Sequence, residues 1–231
     1  MIKAILMDFN GVIIDDEAIQ MRVYQDVLGA RGVELTEEDY YASLGMDDWT
    51  FVRAAYERKG KTADDATCDD VVAEKDGKWL ELVADKLPLF EGVEGFVKKA
   101  AQDFSLGIVS MAPRQEIEYA LDRSGLAKYF STIVAARDVT ACKPDPQCYR
   151  LGFRDLDAAR TAAGHLPMTH DECLVIEDSP PGVVAARRAD LQALGVTNTV
   201  TADRLCEAGA RAVATDLRDW MPETIRLVFS N

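Results

Sequence analysis

Cysteine is sparse and scattered in this 231-residue chain. Cys68, Cys142, Cys148, Cys173 and Cys206 form no CxxC pair, and their number is odd. That pattern argues against a disulfide framework and against a cysteine zinc site. Free thiols in a reducing compartment are the simpler reading, and a cytoplasmic location is the resulting expectation. Basic residues are also in short supply, with 26 Lys and Arg against 40 Asp and Glu, a net charge of −14. A nucleic-acid binder that relies on a basic surface is excluded on that balance, and anionic membranes gain no electrostatic hold. Long hydrophobic runs are missing. The opening MIKAILMDF is interrupted by Lys3 and Asp8 and reads as neither a signal peptide nor a membrane span. No repeat or low-complexity tract appears. Neither GxGxxG nor GxxxxGK[ST] occurs in a strand-turn-helix setting, so no organic cofactor is expected. No coiled-coil pattern or exposed apolar stripe speaks to oligomeric state, which stays open.

What is present is an ordinary globular composition, 48% hydrophobic and 29% charged. The length suits one large domain, or a core with a smaller partner. Apolar runs of strand length recur at residues 4–9, 105–110, 131–136 and 172–177, with weaker candidates at 191–196 and 211–215. Helical patterns separate them at 92–103, 113–125, 146–163 and 180–190, the second with Pro113 at its start and Gly125 at its end. Such alternation predicts a parallel sheet covered on both faces. Residues 16–87 break the pattern with four helical stretches and no convincing strand. They are expected to form an all-helical insertion between residues 1–15 and 88–231, which build the core.

In an open parallel sheet, ligands bind beyond the carboxyl ends of the strands. The polar residues expected there are Asp8 and Asn10, Ser110, Lys143 in the loop Lys143-Pro144-Asp145-Pro146, and the pair Glu177-Asp178. Together they are the parts needed to handle a phosphoryl group with a hard metal ion. Asp8 could attack phosphorus to form an aspartyl-phosphate. Mg2+ prefers carboxylate, carbonyl and water oxygens, and would neutralise the repulsion between the two anions. Asp8 and Asp178 are the expected side-chain ligands, with Glu177 as an outer or water-mediated partner. Lys143 offers a point charge to the phosphate and to Asp8. Ser110 and the backbone N–H of Met111 could hold phosphate oxygens. Each residue also has a plainer reading: turn former for Asp8, helix cap for Ser110, solvated loop for Lys143, and helix start for Glu177-Asp178. Their joint placement at successive strand ends argues for a site.

These segments resemble the haloacid dehalogenase superfamily, in the phosphatase branch similar to beta-phosphoglucomutase. The matching stretches are Asp8-Phe9-Asn10-Gly11-Val12 with Asp15, Ile108-Val109-Ser110, Lys143-Pro144-Asp145-Pro146, and Val175-Ile176-Glu177-Asp178-Ser179 with Gly182. The order and spacing agree over nearly the whole chain. The resemblance implies an α/β fold, a Rossmann-like doubly wound core with an inserted helical cap, and a magnesium-dependent aspartyl-phosphate mechanism. It also implies a further metal ligand, the backbone carbonyl of Asn10.

One departure stands out. The family's phosphatases usually carry Asp where this chain has Asn10, and that Asp exchanges protons with leaving group and water. An amide cannot do so. Three accounts stay open: chemistry that tolerates the amide, a phospho-ligand binder with little turnover, or a substitution introduced to trap a complex. Deamidation of Asn10-Gly11 is a fourth. In the cap, Gln20 stands where beta-phosphoglucomutase has a His. The stretch Leu44-Gly45-Met46-Asp47-Asp48-Trp49 offers acids where that enzyme has an Arg for a second phosphate. Gln20 and Trp49 are the candidate cap contacts to substrate, though the spacing of Trp49 and Tyr40 also suits the interior of the cap. Asp47 and Asp48 read as capping or solvated acids. His165 and His170 fall in a stretch, 158–171, read as a surface loop, and neither is given a catalytic role. The expected activity is hydrolysis of a small phosphorylated metabolite with a single phosphate. A weakly catalytic binding protein and a dehalogenase are the alternatives. The acidic pair Glu177-Asp178 speaks against the dehalogenase.

Overall fold

The computed structural model describes residues 1–218 and 220–229. Six parallel strands form one sheet in the order β3-β2-β1-β4-β5-β6. They are β1 (Ala4–Met7), β2 (Ser105–Val109), β3 (Phe130–Val134), β4 (Cys173–Glu177), β5 (Gln192–Val196) and β6 (Ala212–Ala214). All six apolar runs noted above are strands. Alternate residues point to opposite faces. Ile5, Met7, Leu106, Ile108, Leu174 and Ile176 join one core cluster, whereas Ala4, Leu6, Val109, Cys173 and Val175 join the other.

Between β1 and β2 lie α1 (Glu17–Gly29), α2 (Glu37–Tyr41), α3 (Asp48–Arg58), α4 (Asp65–Val83) and α5 (Val93–Asp103). The remaining helices are α6 (Arg114–Ser124), α7 (Gln147–Ala162), α8 (Pro180–Arg188), α9 (Ala202–Ala208) and α10 (Pro222–Phe229). Helices α5, α6 and α10 cover the first face, and α7, α8 and α9 the second. Helix α7 runs to Ala162, so the stretch 158–171 is not a loop throughout. Its first five residues finish the helix, and His170 opens a short 3-10 turn with its ring stacked on Phe153 at 4.3 Å.

Helices α1–α4 are the all-helical cap. Their apolar faces close on a cluster of their own that includes Val23, Val27, Phe51, Val52 and Val71. Sequence sets their starts. Thr36 and Asp39 form a capping box on α2, and the side chains of Asp47 and Asp64 cap α3 and α4. The chain leaves and re-enters the core side by side. Ile14 pairs antiparallel with Leu89, and the Asp15 N–H donates to the Pro88 carbonyl at 2.6 Å. No helix among the described residues is long and apolar enough to cross a membrane.

Strand β2 lies close against α7. A Cβ added at Gly152 would come within 2.5 Å of Val109 Cγ2. Alanine normally improves a helix over glycine by about 1 kcal/mol, but overpacking a stiff β-branched neighbour costs about 1–3 kcal/mol. Gly152→Ala should therefore lower stability in urea denaturation, and unchanged or raised stability would show that the helix can shift.

Candidate active site

In this strand order the chain progresses outward in opposite directions from β1 and β4, and crevices form at such a switch point beyond the strand ends. Asp8 follows β1 there, and Glu177 and Asp178 end β4. Ser110 follows β2, and Lys143 arrives from the loop after β3 through a cis Lys143–Pro144 peptide.

Lys143 is almost fully buried. Its Nζ lies 2.9 Å from Asp8 Oδ2 and 2.6 Å from Glu177 Oε1. Asp8 Oδ1 accepts the Phe9 N–H at 2.8 Å. Glu177 also accepts the Tyr149 hydroxyl at 2.6 Å, the Ser179 hydroxyl at 3.0 Å, and the N–H groups of Asp178 and Ser179. Both its oxygens are thus occupied, and its main partner is the lysine. Burial pushes the Asp8 carboxyl up to about 7, with Lys143 opposing the rise. Burial, then Glu177 and Asp8, raise Asp178 well above the ordinary carboxylate range. Burial acts the same way on Glu177, yet Lys143 and the hydroxyl donors hold it below the ordinary range. Desolvation opposes the charge on Lys143, but the two carboxylates outweigh it and raise its pKa.

One oxygen from each of Asp8, Glu177 and Asp178 lies within 4.8 Å of the others, a set that could hold a metal ion. An all-oxygen donor set suits a hard cation such as Mg2+. The fit is also electrostatic: three buried carboxyl groups face one lysine, and a bound cation would favour the ionised forms that burial opposes.

Asn10 borders the same cleft, but its amide is engaged elsewhere. Nδ2 donates to Asp16 Oδ1 at 2.9 Å and Oδ2 at 3.2 Å. Asp16 is fully buried at the start of the cap and also accepts from Gln20 Nε2 and Trp79 Nε1. Ser110 Oγ accepts the Ala112 N–H at 3.2 Å, a local turn contact, while Ser110 and Met111 both face the cleft.

The cleft lies between core and cap, with space for about 100 Å³ of water-sized groups. A Cβ on Gly45 would approach Pro181 at 2.9 Å and Lys143 Cβ at 3.1 Å, so the cap loop sits directly on the lysine loop. Gln20 lines the cleft. Trp49 does not; it faces an adjoining groove, with Arg53 over its ring. Tyr40 packs its ring on Phe51 in the cap interior, while its hydroxyl donates to Glu17 at the cleft. Asp47 caps α3, but Asp48 is not merely solvated: it pairs with Lys75 and accepts from Tyr24. Glu17 and Glu116 also line the cleft and carried no sequence signal. Burial raises them to about 7 and about 8.

A deep sheet end lined with carboxylates and one buried lysine, closed by a helical lid, defines a capped α/β hydrolase. A family model for haloacid dehalogenase-like hydrolases matches residues 2–190. The chain belongs to that family. YhcW of Bacillus subtilis (strain 168) is 30% identical over 210 residues, covering 90% of this chain and 89% of that protein. A phosphorylated carbohydrates phosphatase of Thermotoga maritima is 28% identical over 214 residues, covering 91% and 93%. The crystal structure of a beta-phosphoglucomutase from Clostridium difficile superposes with a TM-score of 0.85 at 18% identity, over 99% of this chain and 97% of that one, a likeness of fold.

The raised carboxyls set a pH dependence. Between the ordinary carboxylate range and about pH 7–8, the folded chain keeps protons on Asp8, Glu17 and Glu116 that the unfolded chain has lost. Their contribution is full below that range and is lost as pH rises through the folded values. With a chelator present, the urea midpoint should fall from pH 6 to pH 8.5. Added Mg2+ should reduce the loss. Equal midpoints in chelator would show that these groups ionise freely in the folded state.

Proposed function

We propose that the chain is a magnesium-dependent phosphohydrolase of a small phosphorylated metabolite, with Asp8 as nucleophile and turnover restrained by Asn10. The observation that carries this reading is the buried Lys143 between Asp8 and Glu177 at the switch point. The names of relatives such as the Thermotoga maritima phosphatase support it. Residues 1–15 and 88–231 supply the chemistry in this view, and residues 16–87 the lid.

Asp8 Oδ2 is held by Lys143, which fixes the carboxylate and favours its ionised form at the moment of attack. A new bond forms from an Asp8 oxygen to phosphorus, and the ester P–O bond breaks. The leaving oxygen takes a proton, and water later cleaves the aspartyl-phosphate to release phosphate and restore Asp8. Lys143 remains charged and offers its ammonium to the phosphoryl oxygens. Ser110 and the Met111 N–H bind the same oxygens. Mg2+, held by Asp8, Asp178 and the Asn10 carbonyl, would supply charge neutralisation and lower the electrostatic cost of bringing phosphate to a carboxylate. Glu177 acts through Lys143, holding it between the strands. Gln20 borders the leaving group, whereas Trp49 faces the adjoining groove and does not touch it.

The leaving group receives its proton without help from residue 10. The Asn10 amide has donated to Asp16, and it has no proton to exchange. The same observation favours a second reading, a phospho-ligand binding protein with little turnover. Hydrolysis of an aryl phosphate with Mg2+ separates the two. Asn10→Asp should raise kcat by about 10²–10⁴-fold, the usual worth of general acid–base help. In that variant a carboxyl meets the buried Asp16, so the full gain should need Asn10→Asp with Asp16→Asn, which restores an amide–carboxylate pair. Asp8→Asn should abolish phosphate release in either background. Equal rates for the parent and both position-10 variants would overturn the account of Asn10. Magnesium-independent release would overturn the metal role.

A further inference from the structure

The remote end of the cleft has a chemistry of its own. Lys75, on α4, is fully buried. Its Nζ lies 2.8 Å from Asp48 Oδ2, 2.9 Å from Asp76 Oδ1 and 2.8 Å from Glu116 Oε1. One ammonium therefore faces three carboxylates, two of which, Asp48 and Glu116, border the cleft. Glu17, on α1 with Gln20, borders the cleft between this group and Asp8. Among the described residues, Lys143 is the cationic side chain that lines the cleft, and it is committed to Asp8 and Glu177. This stretch of the cleft thus gathers more acidic groups than cations in a poorly solvated place, where burial pushes Glu17 and Glu116 toward their protonated forms and a bound cation would ionise them.

An independent observation comes from Gln20, which lines the cleft and is 7% exposed. Its Nε2 donates to Asp16 Oδ2 and Glu116 Oε2, each at 3.1 Å. Asp16 also accepts from Asn10 and Trp79, so it meets Gln20 as an acceptor and sets the amide with its nitrogen toward it. Oε1 is left buried with no hydrogen-bond partner. A buried acceptor without a donor is costly, and a ligand donor would relieve it.

We propose that this end of the cleft receives a leaving group bearing a protonated amine, with Gln20 Oε1 and the carboxylates of Glu17, Asp48 and Glu116 as its acceptors. An ammonium brings three donors and no acceptor, which matches a wall made of acceptors. A neutral hydroxyl could satisfy Gln20 but would leave the charge uncompensated. A second phosphate would meet repulsion from all three acids. The proposal rests on the phosphatase reading and specifies its substrate class.

The test compares two matched pairs: glucosamine 6-phosphate with glucose 6-phosphate, and phosphoethanolamine with 2-hydroxyethyl phosphate. An aryl phosphate serves as the common reference. At least one amine should exceed its hydroxyl partner in kcat/KM by about tenfold or more, the scale of one charge-assisted hydrogen bond. Glu17→Gln keeps the acceptor for Tyr40 while removing the charge, and should shrink that ratio toward one. Glu116→Gln should do the same, and Glu17→Gln keeps the test decisive if loss of a Lys75 partner disturbs folding. Flat or reversed ratios in both pairs, with the aryl phosphate turned over, overturn this proposal and leave the phosphatase reading intact. No phosphate from any compound, even after Asn10→Asp, overturns both.

Discussion

A buried ammonium bridging two carboxylates organises the core end of this molecule. Removing three charges from water is expensive, and the arrangement persists because each charge finds ionic or hydrogen-bonding partners. Lys143 reaches Asp8 after β1 and Glu177 at the end of β4, and Glu177 in turn gathers Tyr149, Ser179 and two N–H groups. Three strand ends are thereby tied to one point. Loss of one partner from such a buried set typically costs about 3–5 kcal/mol, because a charge is stranded. The same contacts hold the Asp8 carboxylate in one orientation, so folding stability and the aim of the nucleophile depend on the same atoms.

Asn10 links that centre to the cap. An amide donates where a carboxylate cannot, and here it donates to Asp16, the buried acid at the entrance to α1. Asp16 also collects Gln20 and Trp79, so residues from α1 and α4 converge on the loop that carries Asp8. Side chains on two cap helices thus share the acid to which Asn10 donates.

The sheet was legible because alternation and strand-length runs are properties of neighbouring residues. Placement of Asp8, Ser110, Lys143, Glu177 and Asp178 near one another was legible for a related reason: a parallel sheet brings every strand's carboxyl end to the same edge. Partner choice was not legible. That Glu177 should bind Lys143 through both strand ends, or that Asn10 should turn toward Asp16, depends on side-chain rotation within a few ångströms. The Lys75 knot was hidden for a different reason. Its partners come from α3, α4 and α6, and only the packing of cap on core decides which faces meet. Trp49 shows the same limit, since its position on α3 fixed a spacing but not the direction of the helix face.

The outgoing and returning segments at Ile14–Asp15 and Pro88–Leu89 are stitched edge to edge. Two ribbons fastened in this way resist sliding but bend as a unit, which leaves one easy axis of rotation. Helix α4 ends close to that axis and runs 19 residues outward from it. At 1.5 Å per residue it is a lever of about 28 Å, so a tilt of about five degrees carries its far tip roughly 2.5 Å. A slight flexing of a few backbone torsions would thus be geared up into a shift of nearly the width of one water molecule.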